Sequence, residues 1–115
     1  MAKYNGMFKM IKEVLALVML LGANTHTERQ KAHLDLEKHE VCFNCLVQHY
    51  SKDMKDPEVR IRLREILFYK YTQENKETYT RMIYLYGDDN EYLGAENVVD
   101  MESLKRNFEW DIEHR

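Results

Sequence analysis

Cysteine, proline and glycine are all scarce in this chain. Its 115 residues include two Cys, one Pro and four Gly. A small secreted protein stapled by disulfides usually carries four or more cysteines, so we expect a reducing compartment and a cytoplasmic location. An all-β sandwich needs many tight turns, and the few Gly and Pro residues argue against that class.

Long hydrophobic runs and an excess of positive charge are also missing. The apolar run at 14–23 has ten residues, whereas a membrane-spanning helix needs about 20. We interpret this run as part of a buried helix and expect no membrane association. The alternative is a signal peptide or membrane anchor, because lysines precede the run. The formal net charge of −3 argues against a generic binder of polyanions.

The residues that are present suit one folded domain. The chain is 44% hydrophobic and 32% charged, which is typical of a globular protein. Its length fits one compact domain, and no repeat or linker divides it. We therefore predict a single helical domain over 1–115.

Apolar spacing and capping signals predict about four helices. A first helix over 9–21 is apolar around nearly its whole circumference, which is typical of a helix that is buried on most sides or lies in an interface. Thr25 opens a capping box before a second helix over 27–52, along which apolar residues repeat at spacings of four and three. Asp100 is expected to cap a last helix.

The 58–98 region is ambiguous between helix and sheet. The Asp-Pro-Glu sequence at 56–58 is a specific helix start, because aspartate caps, proline suits the first turn and glutamate complements the helix dipole. The strict alternation at 59–64 and the Tyr, Thr and Ile residues at 66–86 are instead typical of strands. We predict a mainly helical fold, a compact bundle of about four helices, with an α+β fold carrying a β-meander at 58–98 as the alternative.

One cluster contains residue types that bind metals, namely His39, Cys42, Cys45 and His49. On the predicted second helix, both cysteines and His49 would fall within about 60° of arc. Thiolates and imidazoles suit Zn²⁺, but a structural zinc site needs four tetrahedral ligands, and one stiff helix aims four side chains poorly at one point. The alternative is that both cysteines are small buried residues at a helix interface.

Catalytic motifs are absent from the sequence. There is no Gly-x-Ser-x-Gly, no phosphate-binding glycine loop and no His-Glu-x-x-His. The acidic stretch at 88–91 lacks the glycine and glutamate of an EF-hand calcium loop. We therefore expect a protein that is not an enzyme and has no cofactor. The alternative is a metal- or thiol-dependent protein that uses the His/Cys cluster of the second helix, with zinc as the metal.

Tyrosine and methionine are abundant, with eight Tyr and seven Met. Both residue types are enriched at the cores of protein interfaces. The candidate partner-binding residues are Tyr69, Tyr71, Tyr79, Tyr84 and Tyr86. The leading interpretation is a small non-enzymatic protein that binds another protein and self-associates through its first helix as a homo-oligomer. Such a short chain without catalytic motifs suits a regulator or inhibitor encoded by a phage or mobile element.

Charge is distributed unevenly along the chain. Residues 87–104 hold six acids and no Lys or Arg, whereas residues 51–70 hold six bases against four acids. Arg60, Arg62 and Arg64 would share one face of a strand, but on a helix Arg62 points away from the other two. Nucleic-acid binding through these arginines is thus a third interpretation, and it depends on the fold. The default for such charges is a solvated surface.

Overall fold

The computed structural model describes residues 2–115, with side chains from Lys9 onward. These residues form five α-helices and one two-stranded antiparallel sheet. In chain order the elements are α1 (Ala2–Leu20), α2 (His26–Lys38), α3 (Phe43–Leu46), a 3-10 turn (Val47–His49), α4 (Pro57–Asn75), β1 (Thr80–Tyr86), β2 (Tyr92–Val99) and α5 (Met101–Glu113). The prediction of a mainly helical fold is confirmed, together with a small β part.

The chain divides into two compact units, Met1–Lys70 and Tyr71–Arg115. The first unit has an aliphatic core, to which α1, α2, α3, the 3-10 turn and α4 all contribute. Its buried hydrophobic side chains are Val14, Val18, Leu21, Ala32, Leu36, Val41, Phe43, Leu46, Val47, Leu63, Ile66 and Leu67. The single domain and the compact bundle stay predictions.

The prediction of one continuous helix over 27–52 is wrong. α2 ends at Lys38, where His39 takes an extended conformation with ψ 147°, and Cys42 precedes the short α3. The apolar repeat continues across this break, because Phe43 and Leu46 are buried like Ala32 and Leu36 of α2. Spacing alone therefore could not reveal that the chain turns here.

The last carbonyl groups of a helix have no hydrogen-bond partner within that helix. At the end of α2, side chains supply hydrogen bonds to the backbone instead. The His39 Nδ1 accepts a hydrogen bond from the Val41 amide at 3.0 Å. The buried Lys70 ammonium donates to the carbonyl of His39 at 2.6 Å and to that of Glu37 at 3.3 Å. A cation at this end also opposes the negative pole of the helix dipole.

Three of the predicted helix starts are confirmed by their caps, whereas α1 begins at Ala2 rather than near residue 9. Thr25 Oγ1 accepts a hydrogen bond from the Glu28 amide at 3.2 Å, and Asp56 Oδ1 accepts one at 3.0 Å from the amide two residues on. Asp100 accepts hydrogen bonds from both the amide and the hydroxyl of Ser103. The Ser103 amide, followed by its hydroxyl, lowers the pKa of Asp100, because both bonds favour the carboxylate.

The ambiguous 58–98 region contains both structures. The alternating stretch at 59–64 lies within α4, where Leu63 is buried and Ile61 is exposed. The helix start at 56–58 thus prevails over the alternation. Beyond α4, β1 and β2 pair as an antiparallel hairpin, so the β alternative is confirmed only over 80–99.

The second unit has a small aromatic core. Tyr71 and Phe108 are buried and pack edge to face with ring centroids 5.5 Å apart, and Leu104 is fully buried. Burial raises the pKa of Tyr71 to about 12, with a further contribution from its hydrogen bond to Tyr79. No side chain within residues 80–99, all of which the structure describes, is fully buried.

Candidate functional site

One side of the hairpin carries a cluster of aromatic side chains. Directly paired residues share a side of an antiparallel sheet, and Tyr86 pairs with Tyr92. Alternation along β1 places Tyr84 and Met82 on the same side. The ring centroids of Tyr84 and Tyr86 lie 6.4 Å and 6.0 Å from that of Tyr92. We call this surface, formed by Met82, Tyr84, Tyr86 and Tyr92, the tyrosine face.

The tyrosine face is open to solvent. Its three tyrosines are 59–61% exposed and Met82 is 54% exposed. The opposite side of the hairpin is also partly exposed, since Ile83 and Leu85 are not buried. An isolated two-stranded hairpin is marginally stable in water, and contiguous exposed apolar surface of this kind typically marks an interaction site.

The turn of the hairpin is acidic and tightly bonded. The Gly87 amide donates to the Glu91 carbonyl at 2.8 Å, and the Asn90 amide donates to the Gly87 carbonyl at 3.0 Å. Asn90 adopts a positive φ of 60°, a conformation that asparagine tolerates. The Glu91 side chain lies over Gly87, where a Cβ would meet it at 3.0 Å. Asp88 and Asp89 occupy the exposed tip.

The five tyrosines proposed from the sequence have different environments. Tyr84 and Tyr86 lie on the tyrosine face, and Tyr69 is exposed on α4. Tyr71 belongs to the core of the second unit, and Tyr79 is half-buried and accepts a hydrogen bond from an asparagine of α5. The structure therefore brings only Tyr84 and Tyr86 together on an exposed surface, while Tyr71 and Tyr79 are joined by a hydrogen bond.

Sequence reasoning missed two large members of the exposed surface of the second unit. Tyr92 was not in the proposed set, although the turn at 87–90 followed by a short strand is the signal that would have paired it with Tyr86. Trp110, the only tryptophan, is 61% exposed on α5 and stacks on His114 with ring centroids 4.3 Å apart.

A second exposed apolar surface runs along α1. Val14, Val18 and Leu21 are buried, whereas Ile11, Leu15 and Met19 are exposed at spacings of four residues. We call these three exposed residues the α1 stripe. The helix is thus buried along one stripe only, rather than on most sides. No helix in the described part of the chain has the length and hydropathy needed to cross a membrane.

The four metal-ligand candidates do not lie on one helix. His39 follows α2, Cys42 precedes α3, Cys45 lies within α3, and His49 ends the 3-10 turn. Both cysteines are exposed, so the alternative that they are buried at a helix interface is wrong. Over the residues whose placement is described, no three His, Cys, Asp or Glu side chains are grouped so as to hold a metal ion.

The imidazole of His39 uses both of its nitrogens. Because Nδ1 accepts the Val41 amide hydrogen, the ring proton lies on Nε2, which donates to Glu13 Oε2 at 3.2 Å. A metal ion could coordinate this ring only by displacing one of these bonds. Two shallow clefts of about 360 and 500 Å³ adjoin the pair. Each cleft is lined by both lysine and acidic side chains, so neither cleft favours a ligand of one charge.

The three arginines proposed for nucleic-acid binding lie on a helix rather than a strand. Arg62 therefore points away from Arg60 and Arg64, and all three are half-buried. Arg60 donates to the Met54 carbonyl at 3.2 Å, and Arg64 donates to the Tyr50 hydroxyl at 3.4 Å. The structure does not bring the three together as one exposed patch.

Arg62 joins α4 to α2 through a polar network. Its Nε donates to Glu58 Oε1 at 2.7 Å, and its Nη1 donates to Gln30 at 3.0 Å and to His33 Nδ1 at 3.1 Å. The His33 Nε2 in turn donates to Glu37 at 2.9 Å. The hydrogen bond from Arg62 lowers the pKa of Glu58. This arginine therefore has a structural role in the first unit.

Comparison with known proteins finds no matching protein family, curated protein or solved structure. The function is therefore inferred from the exposed surfaces of the chain itself. Of these, the tyrosine face combines three exposed aromatic side chains with defined cross-strand geometry.

Proposed function

We propose that this protein is not an enzyme and acts by binding another protein through the tyrosine face. One observation supports this proposal above the others: the Tyr92 ring packs against those of Tyr84 and Tyr86, and yet all three remain about 60% exposed. Tyr is enriched among the residues that dominate binding energy at interfaces. Each buried aromatic side chain also removes about 150–250 Å² from water.

Packing of the three rings prepares the surface for binding. Rings that already contact each other lose less rotamer freedom when a partner covers them, and lost side-chain freedom is one of the main costs of association. The cross-strand pair of Tyr86 and Tyr92 is further fixed by the register of the hairpin. A partner that covers this face would also stabilise a hairpin that has no fully buried side chain of its own.

Selection of a displayed random-peptide library on the immobilised chain tests this proposal. We expect enriched peptides that bind the native chain and bind Tyr84→Thr/Tyr92→Thr at least about tenfold more weakly. Threonine keeps a high strand propensity, and circular dichroism will show that the double variant is folded. The matched control is Tyr69→Thr, which removes an exposed tyrosine from α4 and should leave binding unchanged. Equal binding to the double variant, or no enrichment, would contradict the proposal.

We further propose that the α1 stripe pairs antiparallel with α1 of a second copy. Apolar residues at spacings of four form the ridges that pack between two helices. The last turn of α1 contains no basic residue to oppose the negative end of its dipole. An antiparallel pair would bring Lys12 of each copy close to that end of the other.

Light scattering tests the self-association. We expect the native chain to be a dimer at about 100 μM, since oligomers depend on concentration, and Leu15→Lys to be monomeric because it buries a charge in the pair. The control is Leu34→Lys, which adds the same charge at an exposed leucine of α2 and should stay dimeric. A monomeric native chain, or a dimeric Leu15→Lys chain, would exclude this pairing.

A further inference from the structure

The hairpin carries negative charge beside the tyrosine face. Residues 80–99 contain four acids and one base, and the base, Arg81, lies 3.6 Å from Asp100. Asp88, Asp89 and Glu91 are exposed at the turn. Among residues 9–115, whose side chains the structure describes, no Lys or Arg forms an ion pair with these three. The hairpin thus presents carboxylates that are available to a partner.

We propose that the tyrosine face binds a basic, extended segment of a partner protein, an inference that rests on the proposed function. Aromatic rings attract cations over their faces, and arginine most often. Carboxylates accept paired hydrogen bonds from a guanidinium group. A segment bearing arginines therefore matches both features of this surface. A nucleic acid would instead bring phosphates towards the acidic turn, where like charges repel.

The outer edge of β1 is suited to such a segment. β1 has no Gly or Pro and pairs only with β2 among the described strands. β2 is less regular, because the register shifts opposite Tyr86 and Gly94 has a φ of 141°. A strand added along β1 would bond to its backbone and place alternate side chains over the tyrosine face. The occupant is therefore expected to be extended rather than helical.

Titration with three labelled peptides tests this inference. Each peptide has about twelve residues, in which threonine and valine alternate with a second residue type. This second residue is arginine in the first peptide, glutamine in the second and glutamate in the third. Fluorescence anisotropy is expected to show about tenfold tighter binding of the arginine peptide than of the glutamine peptide, and no binding of the glutamate peptide. Raising the salt concentration from about 50 to 200 mM should weaken the binding of the arginine peptide only, because salt screens exposed charges.

Neutralising the turn isolates the contribution of charge. In the Asp88→Asn/Asp89→Asn/Glu91→Gln chain, we expect affinity for the arginine peptide to fall about tenfold and its salt dependence to become shallower. Affinity for the glutamine peptide should stay the same, because the tyrosine face is retained. This split between two peptides separates an electrostatic role from a general loss of structure.

A variant with the same charge change outside the hairpin provides the control. Asp53→Asn/Glu65→Gln/Glu113→Gln removes three exposed acids and should bind the arginine peptide like the native chain. If the glutamine peptide binds as tightly as the arginine peptide but still needs Tyr84 and Tyr92, the basic occupant is wrong and the proposed function stands. If no peptide distinguishes the Tyr84→Thr/Tyr92→Thr chain from the native one, both proposals fail.

Discussion

Replacing Lys70 by methionine is expected to lower the free energy of unfolding by about 3 kcal/mol. Lys70 is only 6% exposed, and its ammonium donates to the carbonyls of Glu37 and His39 where α2 ends. A buried acceptor that loses its donor costs about 1–3 kcal/mol, and two acceptors are affected here. Methionine keeps most of the side-chain volume, so the loss reflects hydrogen bonding rather than a cavity.

Urea unfolding measures this loss. The midpoint should fall while the slope with urea stays the same, because the area exposed on unfolding is unchanged. Lys38→Met is the matched control: Lys38 lies in the last turn of the same helix but is exposed, so its loss should cost within about 0.5 kcal/mol. Equal effects of the two substitutions would show that Lys70 does not stabilise the end of α2.

Replacing Arg62 by methionine is expected to lower the free energy of unfolding by about 2 kcal/mol. The guanidinium side chain is 11% exposed and holds Glu58 on its own helix while bonding Gln30 and His33 on α2. Removal leaves the buried His33 and the half-buried Glu58 without their donor, and such breaks cost more than the net gain of forming the bonds. Lysine is not an equivalent replacement, because it lacks the planar fork that reaches three acceptors.

The Arg62→Met loss should also depend on pH. Arg62 lowers the pKa of Glu58 in the folded chain below its unfolded value. The Glu58 contribution is therefore fully present above the ordinary pKa of glutamate and is lost as the pH falls through the lowered value. The stability difference between native and Arg62→Met chains should thus shrink on acidification below about pH 4.5.

Arg106→Met is the control for both measurements. Arg106 is exposed on α5, and its ion-pair partner Glu102 lies 3.7 Å away and is also exposed. Exposed pairs of this kind contribute little to stability. This substitution should therefore change the free energy of unfolding by no more than about 0.5 kcal/mol, both above and below about pH 4.5. A flat pH dependence of the Arg62→Met loss would show that the Glu58 pKa does not depend on this arginine.

Local signals in the sequence predicted the helix starts well, because each cap depends on residues within three positions. Thr25, Asp56 and Asp100 all accept the hydrogen bonds expected of them. The end of α2 was not predictable in this way. It depends on Lys70, which follows more than thirty residues later and whose role exists only in the folded chain.

The sequence predicted which residue type forms the candidate site, but not which individual residues belong to it. The surplus of tyrosine correctly drew attention to the second half of the chain, yet spacing could not distinguish Tyr71, which is buried, from Tyr84, which is exposed. The difference arises because Tyr71 lies near the end of a helix and Tyr84 lies on a strand whose register with β2 sets its face. The register of a hairpin depends on its turn type and, here, on the irregularity opposite Tyr86, and the spacing of the tyrosines specifies neither.

Amide hydrogen exchange tests most directly whether the tyrosine face is a protein-binding surface. It is measured on the full chain alone and with a peptide selected from the library. We expect the peptide to slow exchange at 80–99 by about tenfold or more, because a covered and newly paired strand opens less often. The same peptide should leave exchange in α2 unchanged. If the bound peptide protects other segments while 80–99 exchanges as before, the tyrosine face is not the protein-binding surface.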